Sequence, residues 1–142
     1  MKKTILFILA ITTLSCSKDS SDDNKNTFIP DKIVGKWIIY KTEYENAVYE
    51  YPINGQCGKE ALEMLPKYGT SYNSVIETFY TNADCTGYSS NNIGTWVKDD
   101  NGAYNIFDSS KVPERTLTLS DNEIKVTEPG FITVIKYYKR AL

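Results

Sequence analysis

The chain has 142 residues and a net charge of −2, enough for one domain of ordinary size with a terminal appendage. This mildly acidic balance excludes the basic footprint that nucleic acid requires. Histidine is absent, which excludes Ser-His-Asp and Cys-His catalysis, histidine-ligated zinc and the commonest general base.

The first 15 residues read as an address. Lys2 and Lys3 form a charged start, Ile5 to Ile11 form an apolar run, and Ser15 is a small residue before Cys16. The run is too short to span a bilayer, which needs about 20 residues. Thr13-Leu14-Ser15-Cys16 resembles the lipobox of bacterial lipoproteins, with Thr13 in place of the usual leucine. The resemblance implies cleavage before Cys16, acylation of that cysteine with palmitate-type chains, and anchoring without a transmembrane helix. Each buried methylene contributes about 0.8 kcal/mol, so several chains on one residue hold stably. Cleavage also removes Lys2 and Lys3, leaving 14 basic against 18 acidic residues. Ser17, where an aspartate is absent, resembles lipoproteins passed to the outer membrane, facing the periplasm or the cell surface. Lys18-Asp19-Ser20-Ser21-Asp22-Asp23 is similar to an acidic surface-export signal and equally reads as a solvated tether. Residues 16–31 form that polar tether, lacking core-forming residues over most of its length.

From residue 32 to 142 the pattern predicts an all-β domain, a small antiparallel up-and-down barrel of about eight strands. The 11 tyrosines and 2 tryptophans favour strands over helices. Ile33 to Glu43 predicts the first strand, with Gly35, Trp37 and Ile39 on one face and Lys36, Ile38 and Tyr40 on the other. Ala47 to Ile53 predicts a weaker second strand before the turn pair Asn54-Gly55. Lys59 to Leu65 is rich in helix formers and stopped by Pro66, which predicts a short helix across one barrel end, as a lid or a plug. A long strand is expected over Ser71 to Asn82, with Val75, Glu77 and Phe79 alternating against Ile76, Thr78 and Tyr80.

Cys57 and Cys85 flank these elements. In an exported protein whose Cys16 carries lipid they are the expected disulfide pair, stabilising by roughly 3 to 4 kcal/mol. Asn92 to Lys98 contains Gly94-Thr95-Trp96, an echo of Gly35-Lys36-Trp37. Asp99-Asp100-Asn101-Gly102 predicts a hairpin turn into Tyr104 to Phe107. Arg115 to Leu119 and Glu123 to Thr127 predict another hairpin, with Leu117, Leu119, Ile124 and Val126 facing the core. Glu128-Pro129-Gly130 turns into the last strand, Phe131 to Arg140.

A Gly-x-Trp on the opening strand, followed by short antiparallel strands and a last strand with Lys139-Arg140, resembles the lipocalin-like domain of secreted bacterial lipoproteins. The likeness covers about residues 32 to 142 and implies a barrel with a late basic residue, here Arg140, over the opening tryptophan. The Thr-Asp-Tyr motif of the central lipocalins is absent. A five-stranded or sandwich arrangement is the alternative.

No phosphate loop, nucleophile elbow, zinc cluster or calcium loop is present, so no catalytic residue, metal or cofactor is assigned. The site expected from the resemblance is a cavity lined by Trp37, Ile39, Tyr51, Phe79, Trp96, Tyr104 and Tyr137, holding a small apolar ligand without catalysis. The alternative is a filled barrel that serves as an envelope protein–protein interaction module, with Tyr44, Tyr49, Tyr88 and Tyr138 exposed as a contact patch.

Overall fold

The computed structural model describes residues 30–53, 58–67, 73–82 and 84–142. Nine strands follow in order: β1 (Gly35–Tyr44), β2 (Ala47–Glu50), β3 (Glu60–Leu65), β4 (Ser74–Tyr80), β5 (Tyr88–Lys98), β6 (Tyr104–Phe107), β7 (Pro113–Ser120), β8 (Glu123–Glu128) and β9 (Val134–Arg140). All neighbours are antiparallel, and β1 also pairs with β9. Eight strands therefore close into an up-and-down barrel, which removes most free sheet edges. β2 is the extra strand. It folds back on the second half of β1, Lys41 to Tyr44, beyond the stretch Gly35 to Ile38 that β3 occupies.

The residues expected to form a signal peptide, Cys16, the expected tether up to residue 29, the expected Asn54-Gly55 turn and Cys57 lie outside the described residues. Cys85 is disulfide-bonded, and its partner cysteine also lies outside them.

One expectation is overturned. Lys59 to Leu65 holds no helix; Glu60–Leu65 is strand β3, paired on both sides. Helix propensity is a weak local preference, and two flanking ladders outweigh it. Pro66, expected to stop a helix, instead follows the end of the strand.

The turns follow their residues. Asp99 Oδ1 accepts the N–H groups of Asn101 and Ala103, each at 2.9 Å, and Gly102 takes φ +84°. The Ser120–Glu123 hairpin turns through Asp121 at φ 46°.

One end of the barrel is closed by a single apolar core. Residues before β1 turn across this end, with Val34 N–H bonded to Asp31 O at 2.9 Å, and Ile33 fills it, fully buried. The two Gly-x-Trp units are built alike. Gly35 and Gly94 have φ of 139° and 140°, values that side chains rarely adopt. Trp37 Nε1 donates to Ile33 O at 2.8 Å, and Trp96 Nε1 donates to Leu65 O at 2.9 Å. Each indole thus buries its ring and still satisfies its one donor. Arg140 stacks over Trp37, 4.3 Å from the ring centre, and donates to the carbonyls of Val34 and Lys32. A side chain on Gly35 would collide with that guanidinium.

Candidate functional site

The other end is built differently. β1 and β4 end there, as do β6 and β8, and β3, β5, β7 and β9 start there. Following the inward face away from the core, the apolar series gives way to charge on five of the eight barrel strands. On β3, Met64 and Leu62 lead to Glu60; on β4, Val75 leads to Glu77. On β7, Leu119 and Leu117 lead to Arg115; on β8, Ile124 and Val126 lead to Glu128. On β9, Tyr138 leads to Lys136.

These five charges and one phenol form a continuous chain inside the barrel mouth. Arg115 Nη1 lies 2.6 Å from Glu77 Oε1, and its Nε lies 3.2 Å from Glu128 Oε1. Lys136 Nζ lies 3.1 Å from Glu128 Oε1 and 3.1 Å from Glu60 Oε2. The Tyr138 hydroxyl donates to Glu60 Oε1 at the junction with the apolar core. Glu60 and Glu77 are buried, whereas the Glu128 side chain keeps 22% of its exposure, so the chain runs outward to water.

Burial decides the proton affinities here. It pushes the Glu60 carboxyl above its usual range, although Lys136 and Tyr138 pull the other way. Burial acts to lower Lys136, but Glu60 and Glu128 more than reverse this, so the ammonium is held charged. Arg115 behaves likewise, raised against burial by Glu77 and Glu128. Tyr138 is pushed well above 10 by burial and by the Glu60 charge, which keeps it a donor. Charges removed from water need their partners held in place, and here every one has a partner.

The rings expected to line a cavity are placed as follows. Trp37, Ile39, Trp96 and Tyr104 pack into the closed-end core, with Trp96 and Tyr104 edge to face at 5.8 Å. The Tyr104 hydroxyl donates to Asp31, which also accepts the Ile33 N–H. Tyr51 packs partly buried against this cluster, with Lys59 over its ring at 4.7 Å. Phe79 follows Glu77 on the inward face but is 40% exposed at the mouth. Tyr137 is on the outer surface, bonded to Glu43 with Lys41 over its ring.

Tyr137 and Tyr138 therefore exchange the positions expected of them. Tyr138, expected outside, is fully buried between Ile39 and Ile124. The reason is Lys136: a charge on the inward face makes that face of β9 read as the solvent side. Tyr44, Tyr49 and Tyr88 are exposed as expected.

Sequence reasoning missed the whole charged chain. The available signal was alternation. Glu77 shares a face with Val75, Arg115 with Leu117 and Leu119, and Glu128 with Ile124 and Val126, each charge lying toward the same barrel end.

A separate cleft of about 690 Å³ lies on the outside of the closed end, between the Ser120–Glu123 turn, Ile53 and the last four residues. It is formed by a turn and a chain end, whereas the mouth is formed by strand interiors. Among the described residues no group of three or more His, Cys, Asp or Glu could hold a metal ion.

No family model, no curated protein and no solved structure matches this chain.

Proposed function

We propose that this is a non-enzymatic, lipid-anchored protein of the bacterial cell envelope whose barrel offers its open end to another envelope protein. The observation that carries this reading is the polarity of the barrel. The chain reaches β1 through Asp31 and Ile33 at the closed end, so a tether running back to Cys16 leaves from the end opposite the mouth. Exposed apolar side chains gather at the mouth: Phe131 and Ile132 between β8 and β9, Val112 between β6 and β7, Tyr88 at the start of β5, and Val48 and Tyr49 on β2. Such surfaces mark contact sites.

The same geometry bears on the small-ligand reading. Four of the seven rings and side chains assigned to a cavity belong to one buried apolar cluster, and five charged side chains pair with one another beyond it. This supports an interaction module over a carrier of an apolar molecule. Outer-membrane sorting and the Cys57–Cys85 bridge belong to the same proposal, and a disulfide-bonded Cys85 fits export to an oxidising compartment.

The test is site-specific photo-crosslinking of the full chain in the bacterium that encodes it. Probes at Val112 and Phe131 are expected to capture a discrete envelope protein, and probes at Val97 and Asp100, near the closed end, are not. Equal capture from both ends, or a lipid released from the purified protein by organic extraction with no capture at the mouth, would overturn the reading. Cys16→Ser is expected to release the protein from the membrane fraction.

A further inference from the structure

The barrel wall is uneven on one side of the mouth. β5 spans Tyr88 to Lys98, but β6 pairs only with its last four residues, Thr95 to Lys98. The other half, Tyr88 to Asn92, is held by β4 alone. β6 stops there because Asp108 turns the chain away, its carboxylate accepting the Ser110 N–H at 2.7 Å, and β7 rejoins at Pro113. Among the described residues no strand covers the second edge of Tyr88–Asn92, and all five residues are exposed.

A strand edge carries a row of unpaired N–H and C=O groups, and proteins usually blunt it with lysine, proline or a charge. Tyr-Ser-Ser-Asn-Asn has none of these. The edge is also well supported. Its outer face is tied to β4 by the Thr78–Ser90 hydroxyl pair at 2.8 Å, and the disulfide-bonded Cys85 precedes it by three residues. At its far end the ladder is irregular, with Val75 opposite Gly94 and Ile76 opposite Asn92, so an added strand has a defined stop.

We propose that this edge receives an extended, basic segment of a partner protein as an added β-strand. The inference rests on the interaction reading above and names the kind of partner. Backbone pairing supplies affinity without a particular sequence, and flanking side chains supply selectivity. The flanks are acidic. Asp84 lies in the turn that leads into β5, Asp108 and Glu114 lie where β6 and β7 diverge, and Lys111 is the cation among them. Asp84 and Asp108 are held ionised by hydrogen bonds from Thr86 and Ser110. A second copy of the chain fits less well, because pairing two β5 edges sets the acidic flanks of one copy beside those of the other.

The probe is a capped decapeptide of alternating lysine and valine, with a glutamate–valine peptide of equal length as control, added to the full chain in detergent. Hydrogen exchange is expected to show new protection confined to amides of Tyr88–Asn92. Binding of the lysine peptide is expected to be at least tenfold tighter than that of the glutamate peptide and to weaken with salt.

Neighbouring residues of an antiparallel strand direct their N–H groups to opposite edges. Of Ser90→Pro and Asn91→Pro, one therefore removes an edge donor and the other a donor to β4. The variant that keeps the parent melting temperature is expected to lose peptide binding at least tenfold. Unchanged binding by that variant, equal binding of both peptides, or protection arising instead from a concentration-dependent dimer would overturn the proposal. Peptide protection at β5 with no crosslinks at the mouth would leave the edge standing and remove the interaction reading.

Discussion

Replacing Lys136 by methionine tests whether the mouth is held together by its charges. Methionine keeps the length and most of the volume of the side chain, so the change is chiefly electrostatic. In the parent, Arg115 and Lys136 offset Glu60, Glu77 and Glu128. The variant leaves three carboxylates facing one guanidinium, in a site where the Lys136 side chain is only 14% exposed. Removing one partner of a buried pair typically costs 3 to 5 kcal/mol. The opening toward water places the expectation at the lower bound, about 3 kcal/mol. For a domain of this size each kcal/mol moves the midpoint by about 4 °C, so a fall of about 12 °C is expected at pH 7 by calorimetry. Glu60→Gln should cost less than about 1 kcal/mol, because it removes a charge that burial already opposes. The double variant should then recover about 1 to 2 kcal/mol of the loss. The sign of the pH dependence follows from Glu60. Its folded-state pKa is raised above 4.5, so burial penalises the ionised form, and the penalty disappears as pH falls through that value. The Lys136→Met deficit should therefore shrink between pH 7 and pH 4. A deficit below 1 kcal/mol that does not change with pH would refute the reasoning and show the mouth to be solvated.

Gly94→Ala should destabilise by about 2 kcal/mol or more, since φ is +140° and the added carbon would collide with the backbone carbonyl of Phe107. Urea denaturation measures it, and a change under 0.5 kcal/mol would show that β5 and β6 can part there freely. Asp31→Asn acts on the acid limb. Burial raises the Asp31 carboxyl, but Tyr104, the Ile33 N–H and Lys98 together bring it below 3.8. Its stabilisation is thus present above pH 3.8 and lost as pH falls through the lower folded value. The variant should be about 1 to 2 kcal/mol less stable at pH 7 and converge on the parent near pH 2. Parallel pH profiles for the two proteins would refute this.

The turns and the two tryptophan strands were legible because their residues act locally. Asn101-Gly102 states its turn through glycine's access to positive φ, and Gly35 and Gly94 mark close approaches of backbone to a neighbour. Arg140 was found through the resemblance and stands where that implied, over Trp37. β3 was not legible. Glu60, Ala61, Leu62, Glu63 and Met64 all favour helices, and the alternation that places Glu60, Leu62 and Met64 inward is hidden by a charge at an inward position. The same concealment hid the mouth and reversed Tyr137 and Tyr138. A charge on a strand is read as a solvent position unless its distant partner is known, and Glu60 and Lys136 are 76 residues apart. The half of β5 that β6 leaves uncovered depends on where β6 ends, a difference of two strand lengths rather than a property of Tyr88–Asn92 itself.

The way the chain enters the barrel also sets its mechanical behaviour. A pull at Pro30 reaches the first residue of β1 through the turn at Asp31–Val34. β1 is flanked by β3 on one side and β9 on the other, so a pull opposed at the mouth loads two ladders in shear, whereas one opposed at the C-terminus opens the β1–β9 ladder one bond at a time. Arg140 adds a clasp at the point of loading, gripping the carbonyls of Lys32 and Val34 from the neighbouring strand. A force applied at Pro30 must break this clasp before it reaches the first ladder, whereas a force applied at the C-terminus meets β9 directly. The domain is therefore built to resist a pull on its N-terminal end that is opposed at the mouth.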